Sequence, residues 1–102
     1  MSAAQFAPRA RRDLVAALRW IAKDNPAAAR ALRDSIARAA ENISAHPEIG
    51  PHRPEFSNPP YRFLSLTGFP YLVVYTPEHN PPLILRILHA ARDLPDILQL
   101  EL

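Results

Sequence analysis

Apolar residues Leu14, Ala17, Leu18 and Ile21 recur at helical spacing, while Arg12, Asp13, Arg19 and Lys23 fall mostly elsewhere. Pro8 suits the first turn of this helix, where a missing N–H costs nothing. Ala7, at the N-cap position, has no side-chain oxygen for an orphan amide, so the start is expected to be frayed or capped by another group. Asp24-Asn25-Pro26 then closes one helix and opens the next, with Asn25 as N-cap and Pro26 at the first helical position. Leu32, Ile36, Ala39 or Ala40, and Ile43 line one side of the second helix; Arg30, Arg33, Asp34, Arg38 and Glu41 lie on others. So short a connection predicts an antiparallel helical hairpin.

His46-Pro47 stops the second helix, and Pro47, Gly50, Pro51, Pro54, Pro59 and Pro60 hold the chain open to about Tyr61 as an ordered surface loop. Three strand-like runs follow. Residues 61–66 alternate only partly, Thr67-Gly68 turns the chain, and residues 69–75 are almost continuously apolar. Pro77 to Pro82 form a second turn before the run from Leu83 to His89. Ala4 to Phe6 read as a short edge strand halted by Pro8, and Leu94 to Leu102 as a short helix or a tail. The expected fold is α+β: a short N-terminal strand, then an antiparallel two-helix hairpin packed on a small antiparallel sheet, in the order β-α-α-β-β-β.

The 102 residues make one domain, residues 1–102, and the hydrophobic fraction of 48% is that of a globular fold. The absence of cysteine removes disulfides, thiolate catalysis and thiolate metal sites. No apolar run approaches the ~20 residues of a membrane-spanning helix. The N-terminus has no basic segment followed by an apolar one, so a cytoplasmic protein is expected. The formal net charge of +2 is unevenly spread, with an excess of cations in residues 1–45 and of anions in residues 46–102. All the cations but Lys23 are arginine, which carries a fixed charge on a planar fork suited to carboxylate or phosphate. A basic N-terminal face attracts nucleic acid or an acidic protein equally well.

Candidate chemistry gathers where the last strand ends, in His89, Arg92 and Asp93. Each has a structural reading beside a functional one: a hydrogen-bonded histidine closing a strand, and a pair that stabilises a turn. Arg86, among Ile84, Leu85, Ile87 and Leu88, needs a carboxylate or an exit to the surface, because a buried unpaired charge is costly. Trp20 falls off the first helix's apolar stripe, as core rim or partly exposed anchor. Tyr71, Val73 and Tyr75 share one strand face, which is either core or a surface that a partner covers. His46, His52, His79 and His89 have no metal-ligand spacing, so neither a metal nor a cofactor is expected.

The block Ile84-Leu85-Arg86-Ile87-Leu88-His89-Ala90-Ala91-Arg92-Asp93 resembles the ending of ParE toxins, the plasmid-addiction branch of the bacterial RelE/ParE superfamily. The likeness extends through Pro8 with Asp13-Leu14, Asp24-Asn25-Pro26, His46-Pro47-Glu48-Ile49-Gly50 and Pro70-Tyr71-Leu72-Val73-Val74-Tyr75. It implies the toxin of a type II toxin–antitoxin system, inhibiting DNA gyrase by protein–protein binding without catalytic residues of its own. It also implies neutralisation by a ParD-like antitoxin, through which alone DNA is contacted. Antitoxin-binding candidates are Trp20, Arg30, Arg33, Tyr71, Arg86 and Leu98, of which Trp20, Tyr71 and Leu98 are expected to be exposed apolar anchors. Arg62, His89, Arg92 and Asp93 form the functional-cluster candidates.

The RelE branch implies instead a ribosome-dependent mRNA endonuclease, which needs a base, an acid and cations around the reacting phosphate. Here His52, Arg53, Glu55, Arg62, Arg86, His89 and Arg92 are on offer. The loop before the sheet lacks lysine, however, and Tyr71-Leu72-Val73 stands where such an RNase places an arginine. After Asp93 there is no His or Tyr. A non-toxic binding module on the same fold is the third reading.

Overall fold

Asn25 caps the second helix as its position implies, its Oδ1 accepting the Ala28 N–H at 3.0 Å. In the computed structural model, which describes residues 3–58 and 60–100, the hairpin consists of α1 (Pro8–Ala22) and α2 (Pro26–Ala45). Around it run β1 (Gln5–Phe6), β2 (Arg62–Ser65), β3 (Tyr71–Thr76), β4 (Leu83–His89) and a short α3 (Leu94–Leu98). Ala7 is indeed without a side-chain cap. The sheet fixes this helix start instead: the Ala7 N–H donates to Ile84 O at 2.8 Å, and its carbonyl accepts from Arg11 N. The backbone just before α1 is thus part of the sheet edge, and the start need not fray.

The sheet order is β1-β4-β3-β2, and it is mixed. Strands β2, β3 and β4 form the expected antiparallel meander, but β1 lies parallel to β4. The expectation of an all-antiparallel sheet is corrected here. The intervening hairpin and meander bring β4 back beside β1 in the same direction, as a long crossover connection does. The strands are also shorter than their apolar runs: β2 omits Tyr61 and Leu66, and β3 begins only after Pro70. Gly68, at φ 82°, supplies the left-handed turn between them.

The hairpin packs on one face of the sheet, where Leu32, Ile36 and Ile43 of α2 meet Tyr71, Val73, Tyr75, Ile84 and Ile87. Leu14, Leu18 and Ile21 of α1 flank this core. A register shift between Val74 and Tyr75 opposite β4 explains how Ile84 and Ile87, three residues apart, both enter it. Strict alternation would place Arg86 on the same face as Ile84 and drive a charge into the helical layer; the bulge re-aims it.

The opposite face is not left to solvent. Phe63, Leu72, Val74 and Leu88 are covered by Ile97 of α3, with Phe56 and Leu100 at the margin. Burial on both faces is why β3 reads as an unbroken apolar run rather than an alternation. No helix among the described residues is long and apolar enough to cross a membrane.

One ion pair joins the layers. Asp13 of α1 accepts from Arg86 Nε at 2.8 Å, from Arg86 Nη2 at 3.3 Å and from the Ile87 N–H at 3.0 Å. Both side chains are largely buried, with 10% of the arginine and 17% of the aspartate exposed. Replacing Asp13 with Ala orphans a buried cation and a main-chain donor. The expected loss is about 3 kcal/mol or more in chemical denaturation, while the double variant Asp13→Leu/Arg86→Met should lie closer to wild type than Asp13→Ala.

Candidate functional site

The strand-end cluster is a closed turn. As β4 finishes, the His89 N–H donates to Asp93 Oδ2 at 2.7 Å, and the Asp93 N–H returns to His89 O at 2.9 Å. His89 Nδ1 accepts from the Arg92 N–H at 2.9 Å and from the Ala91 N–H at 3.2 Å, which places the neutral ring's proton on Nε2. The ring stands edge-on to Tyr71, centroids 5.3 Å apart. Arg92 Nε lies 3.5 Å from Asp93 Oδ1. Both carboxylate oxygens of Asp93 and Nδ1 of His89 are therefore engaged within the turn.

Beside this turn, α1 and β4 enclose a hollow of about 400 Å3. Five of the expected residues line it: Trp20, Tyr71, Arg86, Arg92 and Asp93. Trp20 is 62% exposed, with Lys23 Nζ 5.3 Å from its ring centroid, so it lies on the surface rather than at the core rim. Tyr71 is corrected. Only 5% exposed, it cannot serve as a free anchor, because it sits on an inner strand beneath the helical layer. Arg86 takes its structural reading, paired with Asp13.

The remaining candidates lie apart from this hollow. Arg30 and Arg33 of α2 border a groove of about 350 Å3 whose floor is Leu18, Ala22, Pro26 and Ala29, with Arg19 opposite. Arg33 pairs with Asp34, at 3.6 Å on an exposed surface, a contact of little energy. Leu98 is exposed on α3, where its neighbour Ile97 turns inward. Arg62, on β2, bends back to donate from Nη1 to Gly50 O at 2.8 Å and to Glu48 O at 3.3 Å. Its buried Nε has no hydrogen-bond partner among the described residues. No three His, Asp or Glu side chains among the described residues gather as a metal site.

Three contributors escape a reading from sequence. Asp13 looks like one more helix-opening acid, although its place at the edge of an apolar stripe, with a lone arginine in an apolar strand, is a signal in retrospect. Phe56 gives no periodic signal in its loop, yet its ring packs tilted against Phe63, centroids 5.6 Å apart, and carries Arg53 over its face. Tyr75 reads as core, but its hydroxyl donates to Pro47 O at 2.7 Å and accepts from Gly50 N at 2.9 Å. A Cβ on Gly50 would come within 2.9 Å of the Tyr75 ring and 3.1 Å of the Phe63 backbone, so glycine is required there.

The family profile described as "ParE toxin of type II toxin-antitoxin system, parDE" matches residues 4–94, from the first strand through the His89–Asp93 turn. The chain belongs to this family. It is a toxin of the ParE/RelE type. Toxin RelE3 of Caulobacter vibrioides is 31% identical over 90 residues, covering 88% of this ParE-family chain and 96% of the relative. The solved structure titled "Chromosomal ParDE TA system from P. aeruginosa" shares the fold, with a TM-score of 0.72 at 22% identity over 87% of this toxin and 96% of that chain.

Burial pushes the Tyr75 hydroxyl above its ordinary value near 10, outweighing the Gly50 N–H and the Arg62 charge that favour ionisation. The unfolded chain therefore ionises first as pH rises. The stability due to this shift is present below pH 10 and is lost as pH climbs toward the raised value. Tyr75→Phe should remove that part of the alkaline slope in pH-dependent denaturation. It should also cost about 1–3 kcal/mol at neutral pH by orphaning the Gly50 N–H.

Proposed function

We propose that this ParE-family toxin acts by binding DNA gyrase, without chemistry of its own, in the cytoplasm, and that a ParD-like antitoxin neutralises it. The observation that supports binding over catalysis is how its candidate reactive groups are engaged. Arg86 is tied to Asp13, Arg62 to two backbone carbonyls, Arg92 to Asp93, and His89 Nδ1 to two amides. RNA cleavage needs a base, an acid and cations converging on one phosphate. These groups instead serve separate structural contacts, and the sheet face opposite the helices is filled with apolar side chains.

The relative named RelE3 keeps ribosome-dependent mRNA cleavage as the rival. Induction of the chain in growing cells separates the two. A DNA-damage response with gyrase-linked DNA breaks is the expected outcome; messages cleaved on ribosomes, or undisturbed growth, would overturn it.

For the antitoxin, the groove across the helical hairpin offers an apolar floor with Arg19, Arg30 and Arg33 around it. An acidic amphipathic helix fits that combination. Nanomolar affinity corresponds to roughly −12 kcal/mol. Exposed ion pairs contribute only ~0–1 kcal/mol each, so apolar contacts must hold the complex while the arginines steer the encounter. Arg30→Glu and Arg33→Glu should slow association with the cognate antitoxin and flatten its salt dependence. Truncating Trp20 or Leu98 to Ala should instead speed dissociation. An unchanged association rate and salt slope in the charge-reversed variants would rule out the hairpin as an electrostatic docking face.

A further inference from the structure

Helix α1 turns its cations outward. Within Pro8–Ala22 these are Arg9, Arg11, Arg12 and Arg19, and Asp13 is the one acid. Asp13 is bound inward to Arg86 and to the Ile87 N–H, so no carboxylate of α1 is left to offset the arginines. All of them are exposed, as is Lys23 at the C-cap. None of these arginines makes an ion pair among the described residues.

Spacing makes them a row. Arg9, Arg12, Ala16, Arg19 and Lys23 follow at intervals of three or four residues, positions that stand one above another on a helix. At a rise of ~1.5 Å per residue the row is about 21 Å long. Buried Ala10 and Ala17, with Leu14 and Ile21 packed against the core, mark the opposite side. At the start of α1, Arg9 and Arg12 also line a hollow of about 540 Å3. Asp96 is the one carboxylate among its lining residues, and it pairs with neither arginine.

The row holds no large apolar side chain. Val15 and Trp20 are exposed beside it, and Lys23 already lies over the Trp20 ring. Protein interfaces draw most of their affinity from aromatic and apolar anchors at their centre. The groove between Arg19, Arg30 and Arg33 has an apolar floor of that kind; the row does not. A line of fixed cations without anchors suits a partner with regularly spaced charge that needs no apolar contact, the phosphate backbone of a nucleic-acid duplex. Single strands are held by successive bases stacked on aromatic side chains, and this helix carries only Trp20.

We propose that the outer face of α1 lies along the phosphate backbone of double-stranded DNA, with Arg9, Arg12, Arg19 and Lys23 each reaching a phosphate and no base being read. The toxin itself then touches DNA, where the family resemblance implied contact through the antitoxin alone. This goes beyond the gyrase reading and does not depend on it. Each neutralised phosphate releases condensed counterions, so affinity falls steeply with salt and is indifferent to sequence.

The test is binding of the full chain, free of antitoxin, to a labelled DNA duplex over a range of salt concentrations. The logarithm of the association constant should fall linearly with the logarithm of salt concentration, with a slope of about −3 to −4 for contacts to four phosphates. Arg9→Gln and Arg12→Gln, neither of which lines the hairpin groove, should each make the slope shallower by about 1 and weaken binding equally on unrelated sequences. Arg38→Gln makes the same charge change at an exposed site on α2 and should leave the slope as it is. An unaltered chain that does not bind the duplex, or binds it with no dependence on salt, would overturn the proposal. So would a wild-type slope in folded Arg9→Gln and Arg12→Gln chains. Tighter binding to single-stranded RNA than to the duplex would overturn it in favour of RNA. Competition by polyglutamate that matches duplex DNA charge for charge would overturn it in favour of an acidic protein.

Discussion

The Asp13 carboxylate is the contact on which the rest of the molecule depends. It accepts from the Arg86 guanidinium through two nitrogens and from the Ile87 amide, and so ties α1 to β4 across 73 residues of chain. Without it, β4 would hold a cation in an apolar run and a bare amide on the sheet's margin. With it, the bulge opposite Tyr75 sends Arg86 to the edge, Ile84 and Ile87 enter the helical core, and the hairpin seats on the sheet. A single acid thus solves a burial problem, an edge problem and a docking problem together.

Among the described residues, both faces of the sheet are covered by other elements. The hairpin occupies one face, while the Phe56 loop and α3 occupy the other. What remains for recognition is peripheral: the hollow beside Trp20, the arginine-lined groove of the hairpin and the outer face of α1. The match to the ParE family ends at Leu94, so most of α3, with the inward Ile97 and the exposed Leu98, lies beyond it.

The His89–Asp93 turn shows how a cluster that looks chemical can be architectural. Histidine and aspartate act there as caps for backbone amides, the role that Ser, Thr, Asn or Asp plays at a helix start. The same turn closes the end of β4 that Asp13 leaves open, so two acids far apart in sequence guard one edge. Arg92, which borders the hollow beside Trp20, is more exposed than Asp93 and His89.

The elements were legible in the sequence because their signals are local. Helical spacing from Leu14 to Ile21 and from Leu32 to Ile43, the Asn25-Pro26 start and the extent of β4 need only neighbouring residues to specify them. The need of Arg86 for a partner was legible too, since burying a lone charge is costly whatever the fold. Its partner was not, because Asp13 is brought to it only by the packing of α1 on β4. The same is true of the parallel pairing of β1, the covering of the second face by Phe56 and Ile97, and the Tyr75 hydroxyl's hold on Pro47 and Gly50. Periodicity says which side of an element is apolar. Which other element meets that side, and which charge finds a partner, depends on contacts between residues distant in the chain, and only the tertiary structure decides those.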